Sequence, residues 1–138
     1  MKILKKLSVA LCSVLVALYF CASYSRPVLF NYSKKITVYT DSASSTANFF
    51  TANANDYFSL KKPTGESCVF HGVSLDELLE TFSAEVFYTE TVGETTCYYG
   101  YSKKLPYSII FNGKKTNVHI AVSDGKVVFG TPIIFGSY

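Results

Sequence analysis

Outside the N-terminal segment, four side chains are best suited to acid–base or nucleophilic chemistry: His71, His119, Cys68 and Cys97. Such groups need a partner within hydrogen-bond reach, such as a carboxylate beside a histidine or a histidine beside a thiol. None has such a partner at a recognisable spacing, and the sequence contains no GxSxG, P-loop or dinucleotide-binding motif. We therefore predict no catalytic residues and no enzymatic activity.

The same four residues are the best candidate metal ligands. Structural metal sites rely on short ligand spacings such as CxxC or HxxxH. Neither spacing occurs in this chain, so we predict no metal site and no cofactor. In an exported chain, Cys68 and Cys97 form either a disulfide or two separate thiols that pack as small apolar side chains. The sequence does not decide between these two states.

Tyrosines are concentrated in the segment CYYGYSKKLPY, residues 97–107, which contains four of them and two lysines. Tyrosine offers a large amphipathic contact area at a small entropic cost, which suits a recognition surface. The same composition also suits a half-buried strand, and this structural interpretation is favoured. If the protein has a binding surface, we predict that it includes Tyr98, Tyr101, Asn117 and His119.

The first 25 residues have the pattern of an export signal, because three lysines precede an uncharged run over residues 7–22 and small residues follow. The small side chains predict cleavage after Ser25 or Ser23. The alternative is an uncleaved N-terminal anchor, although this run of 16 residues is shorter than the ~20 of a spanning helix. We predict an exported protein, extracellular or envelope-associated, held at the cytoplasmic membrane by residues 7–22 if cleavage does not occur.

Export changes the charge balance of the chain. The whole chain has 13 Lys and Arg against 10 Asp and Glu, and three of the lysines but none of the acids lie in residues 1–25. The rest of the chain therefore has ten positive and ten negative side chains. Nucleic-acid-binding domains usually carry a basic footprint, so we predict no nucleic-acid partner. The expected partner is an unidentified protein or cell-wall component, with membrane contact only through an uncleaved N-terminal segment.

The chain divides into a signal or anchor over residues 1–25, a tether over 26–35 and a single domain over 36–138. One helix in this domain is clearly marked, because Ser74 precedes Glu77 at the spacing of a capping box. The apolar residues that follow have helical spacing and form one stripe, which consists of Leu75, Leu78, Leu79 and Phe82. Strands are predicted for residues 36–40, 65–72, 84–91 and 95–102. Residues 41–48 are expected to form a turn or loop, and residues 49–60 one or two short strands with a turn.

Two hairpin turns, Asn112-Gly113 and Asp124-Gly125, mark the last third of the chain. They predict a three-stranded meander in which Ile109 faces Thr116, Tyr107 faces Val118 and Ile120 faces Phe129. The register places Phe111, Val118, Ile120, Val122, Val127 and Phe129 on a buried face, and Lys115, Asn117, His119, Ala121 and Lys126 on a wet face. The helix stripe is the natural cover for the buried face. We therefore predict an α+β fold, an antiparallel meander sheet with one main amphipathic helix on one face.

The C-terminal sequence VVFGTPIIFGSY is unusually apolar. Gly130-Thr131-Pro132 is expected to interrupt the last strand, because proline cannot donate a hydrogen bond to the ladder. Residues 133–135 then continue as an edge segment or fold over the rim of the sheet. We predict an ordered, packed terminus.

The segments YYGYS, NVHIAV and GTPIIFGSY, together with the helix–strand step LDELLETFSAEVFYTE, resemble the YwmB-like family of uncharacterised exported Gram-positive proteins. The resemblance covers residues from about 66 to the end, and the closing motif is its most specific part. It implies a fold similar to the TATA-box-binding protein, a curved antiparallel sheet with helices on one side. It implies no catalytic residues, and a fold of this shape does not by itself define a function.

Three functions compete at this stage. The favoured one is a non-enzymatic envelope or extracellular module that binds a protein, a peptide or a wall component through its sheet. The second is a structural accessory protein of the cell surface that assembles through an edge strand. The third is an enzyme of unrecognised type.

Overall fold

A computed structural model describes residues 2–25, 27–42, 46–53, 56 and 63–136, with the backbone alone for residues 2–5 and 22–25. The elements in these ranges are two α-helices, a 3-10 turn over Val28–Asn31 and nine strands. They are α1 Lys2–Ser25, β1 Lys35–Thr40, β2 Asn48–Asn53, β3 Gly65–His71, α2 Leu75–Phe82, β4 Ala84–Val92, β5 Thr95–Ser102, β6 Ile109–Phe111, β7 Lys114–Thr116, β8 Val118–Ser123 and β9 Lys126–Thr131.

Seven strands form one antiparallel sheet in the order β2-β1-β3-β9-β8-β5-β4, and β6 and β7 form a separate two-stranded sheet. The predicted α+β class is confirmed. Both predicted hairpin registers are also correct, since Ile109 faces Thr116 and Ile120 faces Phe129. The predicted pairing of Tyr107 with Val118 is wrong, because Val118 faces Gly100 and β8 pairs with β5 on the side where residues 107–111 were expected.

The first face of the sheet, which carries Ile36, Cys68, Phe129 and Ile120, packs into the main core. Helix α2 covers it as predicted, and the Phe82 ring stacks on Phe129 with centroids 4.3 Å apart. The helix begins at a complete capping box, in which Ser74 and Glu77 each accept a hydrogen bond from the backbone of the other. This face is therefore a layer of helix on sheet.

The second face of the sheet was predicted to be wet and is instead partly buried. A smaller cluster there consists of Cys97, Tyr99, Ala121, Val128 and Ile134, with Phe87 and Phe111 packed against it. Its cover is the β6–β7 hairpin and the C-terminal segment, residues 132–136. The terminus is thus packed as predicted as far as Phe135, and residues 137 and 138 lie outside the described ranges.

The N-terminal third contrasts with the prediction of a tether. All described side chains of α1, residues 6–21, are exposed. Directly after the helix, Pro27, Leu29 and Phe30 are buried, and Leu29 and Phe30 belong to the main core. The described part of residues 26–35 is therefore part of the domain and not a tether. No helix in the described ranges combines the length and the hydropathy that a membrane crossing requires.

Candidate functional site

The C-terminal segment divides the second face into a covered half and an open half. After β9 ends at Thr131, the chain turns back over the sheet. The Ile134 N–H donates to Nδ1 of His119 over 3.1 Å, and the Phe135 N–H donates to the Tyr39 hydroxyl over 3.2 Å. Gly130 permits this approach, because a Cβ there would lie 2.5 Å from Cγ1 of Ile134.

The covered half contains an aromatic stack built from four elements. The Tyr99 ring lies between His119 and Phe111, with centroids 4.4 Å and 4.5 Å away and nearly parallel planes. The Tyr88 ring, on the neighbouring strand β4, packs at a tilt against the Tyr99 ring with centroids 5.6 Å apart. The Tyr99 hydroxyl donates to Glu90 over 2.7 Å, which satisfies the polar end of a buried ring.

His119 is only 2% exposed, so its predicted position on a wet face is wrong. Burial lowers the pKa of its imidazole to about 4, and the charge of Glu90 opposes this shift only in part. At neutral pH the ring is therefore uncharged, and Nδ1 accepts a hydrogen bond from the backbone. A buried, uncharged ring in this position organises the second face.

Asn117 is also buried and not part of a surface. Its side chain accepts a hydrogen bond from the Ser102 N–H over 2.7 Å and donates to the carbonyls of Ser102 and Leu105. Its own N–H donates to the carbonyl of Gly100. These bonds fasten the end of β5 to the start of β8. Asn117 therefore breaks the expected passage from β7 into β8.

The two tyrosines of the predicted surface lie on opposite faces. Tyr98 faces Ile120 in the ladder and packs against the main core. Tyr101 is half-buried, and Nζ of Lys115 lies 5.3 Å from the centre of its ring. The four residues Tyr98, Tyr101, Asn117 and His119 therefore do not form one surface.

Cys68 and Cys97 are both buried and unlinked. Cys68 faces Phe129 on the first face, whereas Cys97 faces Ala121 on the second. Strands β9 and β8 separate them, a span of about 14 Å at the usual strand spacing, and a disulfide needs Cα atoms within about 7 Å. The candidate disulfide is therefore wrong, and separate thiols describe the structure. Burial, and then the charge of Glu66, raises the pKa of Cys68 to about 12, so this thiol is not a nucleophile at neutral pH.

Glu66 is an ionisable group that the sequence did not single out. It is fully buried on the first face, and its two oxygens accept hydrogen bonds from the N–H groups of Val28 and Leu29 over 2.8 Å and 2.7 Å. Burial raises its pKa to about 7, while these bonds and one from Tyr107 oppose the rise. The carboxyl holds the 3-10 turn on β3. Its position in the same strand phase as Cys68 and Phe70 was a signal of burial.

The open half of the second face is a groove of about 560 Å³ over β2, β1, β3 and β9, which we call the open groove. Its volume lies within the range of small-ligand sites. The floor has three parts in succession along the strands. Phe49 and Phe135 form an aromatic end beside the buried Tyr39 ring. A row of hydroxyl residues crosses the middle, and Lys35, His71 and Lys126 lie at the other end.

The open groove is the candidate site. None of the described residues that line it carries a carboxylate. Across the described ranges, no group of three or more His, Cys, Asp and Glu side chains is placed to hold a metal ion. The side chains at the groove offer apolar contact, hydroxyl hydrogen bonds and positive charge.

Comparisons with known proteins return no match to this chain, whether among protein families, curated proteins or solved structures. Function is therefore inferred from the chain's own geometry.

Proposed function

We propose that the chain is a non-enzymatic binding module of the cell envelope or extracellular space that holds its ligand in the open groove. The observation that carries this proposal is the unequal cover of the second face. The C-terminal segment and the β6–β7 hairpin cover only part of this face, and the groove presents Phe49 at 65% exposure and Val69 at 40%. Exposed apolar side chains at a concave site favour binding.

The absence of catalytic activity is part of the same proposal. Burial shifts the pKa of His119 to about 4 and the pKa of Glu66 to about 7. Acid–base groups with shifted pKa values often indicate active sites. Both are enclosed and hydrogen-bonded to backbone N–H groups. They stabilise the fold in these positions and do not face the open groove, which supports a binding role.

Export rests on the N-terminal segment. The described side chains of α1 are exposed, whereas burial begins at Pro27, directly after the predicted cleavage positions. Cleavage after Ser25 or Ser23 would therefore leave the packed residues intact. Mass spectrometry of the protein recovered outside the source cells is expected to show loss of residues 1–25 or 1–23. An intact N-terminus in that fraction would contradict cleavage.

Membership of the YwmB-like family belongs to the proposal as well. An antiparallel sheet with α2 on one face supports it. A solved structure of a YwmB-like protein with a different strand order would contradict it.

The groove is tested by filling it. Thr37 is half-buried at the middle of the floor, so Thr37→Trp places a large ring in the open groove. Thr89→Trp is the matched control, because Thr89 is an exposed strand threonine on β4, at the other edge of the sheet. The full chain and both variants are immobilised and exposed to the envelope fraction of the source cells.

We expect the unchanged chain and Thr89→Trp to retain the same component, and Thr37→Trp to retain at most about a tenth as much. Equal retention by all three chains would contradict binding in the groove. Matching thermal unfolding of the two variants establishes that the difference does not come from misfolding.

A second candidate function is assembly through β2. This strand is an edge of the sheet, it contains no charged residue, and Phe49 and Phe50 are 65% and 38% exposed. Uncharged edge strands with exposed apolar side chains favour pairing with another chain. Light scattering tests this function, because Phe50→Thr is expected to abolish any oligomer without altering the groove, which Phe50 does not line. A monomeric unchanged chain would contradict assembly.

A further inference from the structure

One end of the open groove is positively charged. His71 and Lys126 face each other in the ladder between β3 and β9. Lys35 lies two residues before Thr37 on β1 and therefore projects from the same face. All three line the groove, whose described lining includes no carboxylate. This end is complementary to an anionic group.

The opposite end of the groove is aromatic. Tyr39 faces Phe49 in the ladder between β1 and β2, and the Phe135 ring meets the Tyr39 ring edge to face with centroids 5.1 Å apart. The Phe135 N–H donates a hydrogen bond to the Tyr39 hydroxyl, which holds these rings together. This end suits an apolar side chain.

Three hydroxyl residues lie in register across the middle of the floor. Thr51 faces Thr37 on one side, and Thr37 faces Ser67 on the other. Ser67 is buried and accepts a hydrogen bond from the Tyr39 hydroxyl over 2.7 Å, whereas Thr37 is half-buried and Thr51 is exposed. An aliphatic chain laid over Thr37 and Thr51 would remove their hydroxyls from water without replacing their hydrogen bonds, which is costly. A ligand with amide groups in its middle replaces those bonds. The middle of the groove therefore favours a peptide over an acyl chain.

The length of the groove agrees with a short extended peptide. Along β3, the aromatic end lies beside Gly65 and the charged end beside His71. Six residues of strand span about 20 Å at roughly 3.3 Å per residue. An extended peptide of five or six residues has the same length.

We propose that the open groove binds an extended peptide segment of five or six residues, with its C-terminal carboxylate at Lys35, His71 and Lys126 and an apolar side chain at Phe49 and Phe135. This inference rests on the proposed binding function and names its ligand class. Charge complementarity at one end and aromatic contact at the other fix the direction of the peptide.

The test uses two fluorescein-labelled pools of hexapeptides and the full chain. Both pools have Phe or Leu at the first position and mixed residues at the next five, and they differ only in a free or an amidated C-terminus. Fluorescence polarisation is expected to show roughly ten-fold or tighter binding of the free-carboxylate pool, because a charge-assisted hydrogen bond is lost on amidation. The double variant Lys35→Gln with Lys126→Gln is expected to bind both pools equally.

The matched control is the double variant Lys103→Gln with Lys115→Gln, which removes the same charge from exposed positions outside the groove lining. It is expected to keep the preference for the free carboxylate. Loss of the preference in this control would mean that overall charge and not the groove attracts the peptide, which overturns the inference.

Equal binding of both pools by the unchanged chain would also overturn it. If neither pool binds while Thr37→Trp still abolishes retention of an envelope component, the groove binds a different class of ligand, such as a glycerol phosphate polymer, and only the peptide inference fails. If neither pool binds and Thr37→Trp changes nothing, the proposed function fails together with it.

Discussion

Glu66 and His119 are buried on opposite faces of the sheet, and burial acts on them in opposite ways. On the first face, Glu66 lies in the main core and holds the 3-10 turn through its carboxyl oxygens. On the second face, His119 lies in an aromatic stack and accepts from the C-terminal segment. Burial disfavours the charged form of both groups, so it raises one pKa and lowers the other.

On each face, a buried side chain whose charged form is disfavoured accepts hydrogen bonds from backbone N–H groups outside the sheet. Glu66 does so for the 3-10 turn, and His119 does so for the C-terminal segment. The first face is then sealed by α2, whereas the second remains open beyond the C-terminal segment. The first face should therefore dominate stability, and the second should combine a smaller core with a binding surface.

The largest effect is expected from removing a first-face ring. Phe129 is fully buried and stacks on Phe82, so Phe129→Ala should lower the free energy of unfolding by about 3–5 kcal/mol. On the second face, Phe135→Ala should cost about 1–2 kcal/mol, because that ring is only half-buried. Urea unfolding measures both values. Equal losses would contradict the dominance of the first face.

The next largest effect is expected from Glu66, whose buried carboxyl makes the free energy of unfolding depend on pH. Its pKa in the folded chain is about 7 against 4.5 for an ordinary glutamate, so the folded state holds a proton that the unfolded state releases between these values. Stability from this group is present below pH 4.5 and is lost as pH rises to 7, by roughly 3 kcal/mol. Urea unfolding of Glu66→Gln at pH 4.5 and 7 should lack this decline.

The contribution of His119 to the free energy of unfolding should depend on pH in the opposite direction. Its pKa falls from 6.5 to about 4 on folding, so the unfolded state takes up a proton first as the pH is lowered. Stability is present above pH 6.5 and is lost by roughly 3 kcal/mol as the pH falls to 4. His119→Gln should remove this loss in the same unfolding measurements.

In the unchanged chain, the pH dependence of stability from Glu66 and that from His119 oppose each other between pH 4.5 and 6.5. Each single variant should therefore show a steeper pH dependence than the unchanged chain, in opposite directions. Parallel slopes in the two variants would refute the opposed burial of the two groups.

A smaller effect than that of Phe129→Ala is expected at the contact between β9 and the C-terminal segment. A methyl group at Gly130 would collide with Ile134, so Gly130→Ala should cost about 1–3 kcal/mol through overpacking. Ile134→Ala removes one of the colliding atoms. The double variant should therefore lose less than the sum of the two single variants in thermal unfolding. Additive losses would contradict the contact.

Local features of the fold were predictable from the sequence. The capping box at Ser74 and the turns at Asn112-Gly113 and Asp124-Gly125 depend on adjacent residues, and all three occur as predicted. The pairing of β8 with β5 was not predictable in this way, because it depends on the distant clamp made by Asn117.

The candidate site was less predictable than the fold. Alternation along β8 indicates which side chains share a face, but it does not show that a C-terminal segment covers the polar-looking one. Alternation alone therefore predicts that His119 lies on the solvent-exposed face. The groove joins Lys35, His71 and Lys126 from three strands that are distant in the sequence, and no local motif marks such a set.

The clamp at Glu66 also has a mechanical meaning. Only two residues separate the end of α1 at Ser25 from the hydrogen-bonded N–H of Val28. A pull on the helix is therefore transmitted with almost no slack to β3, which lies inside the sheet between β1 and β9. In a chain held by its N-terminal helix, the load would enter the domain at a buried carboxyl in an interior strand, and the edge strands would bear none of it directly.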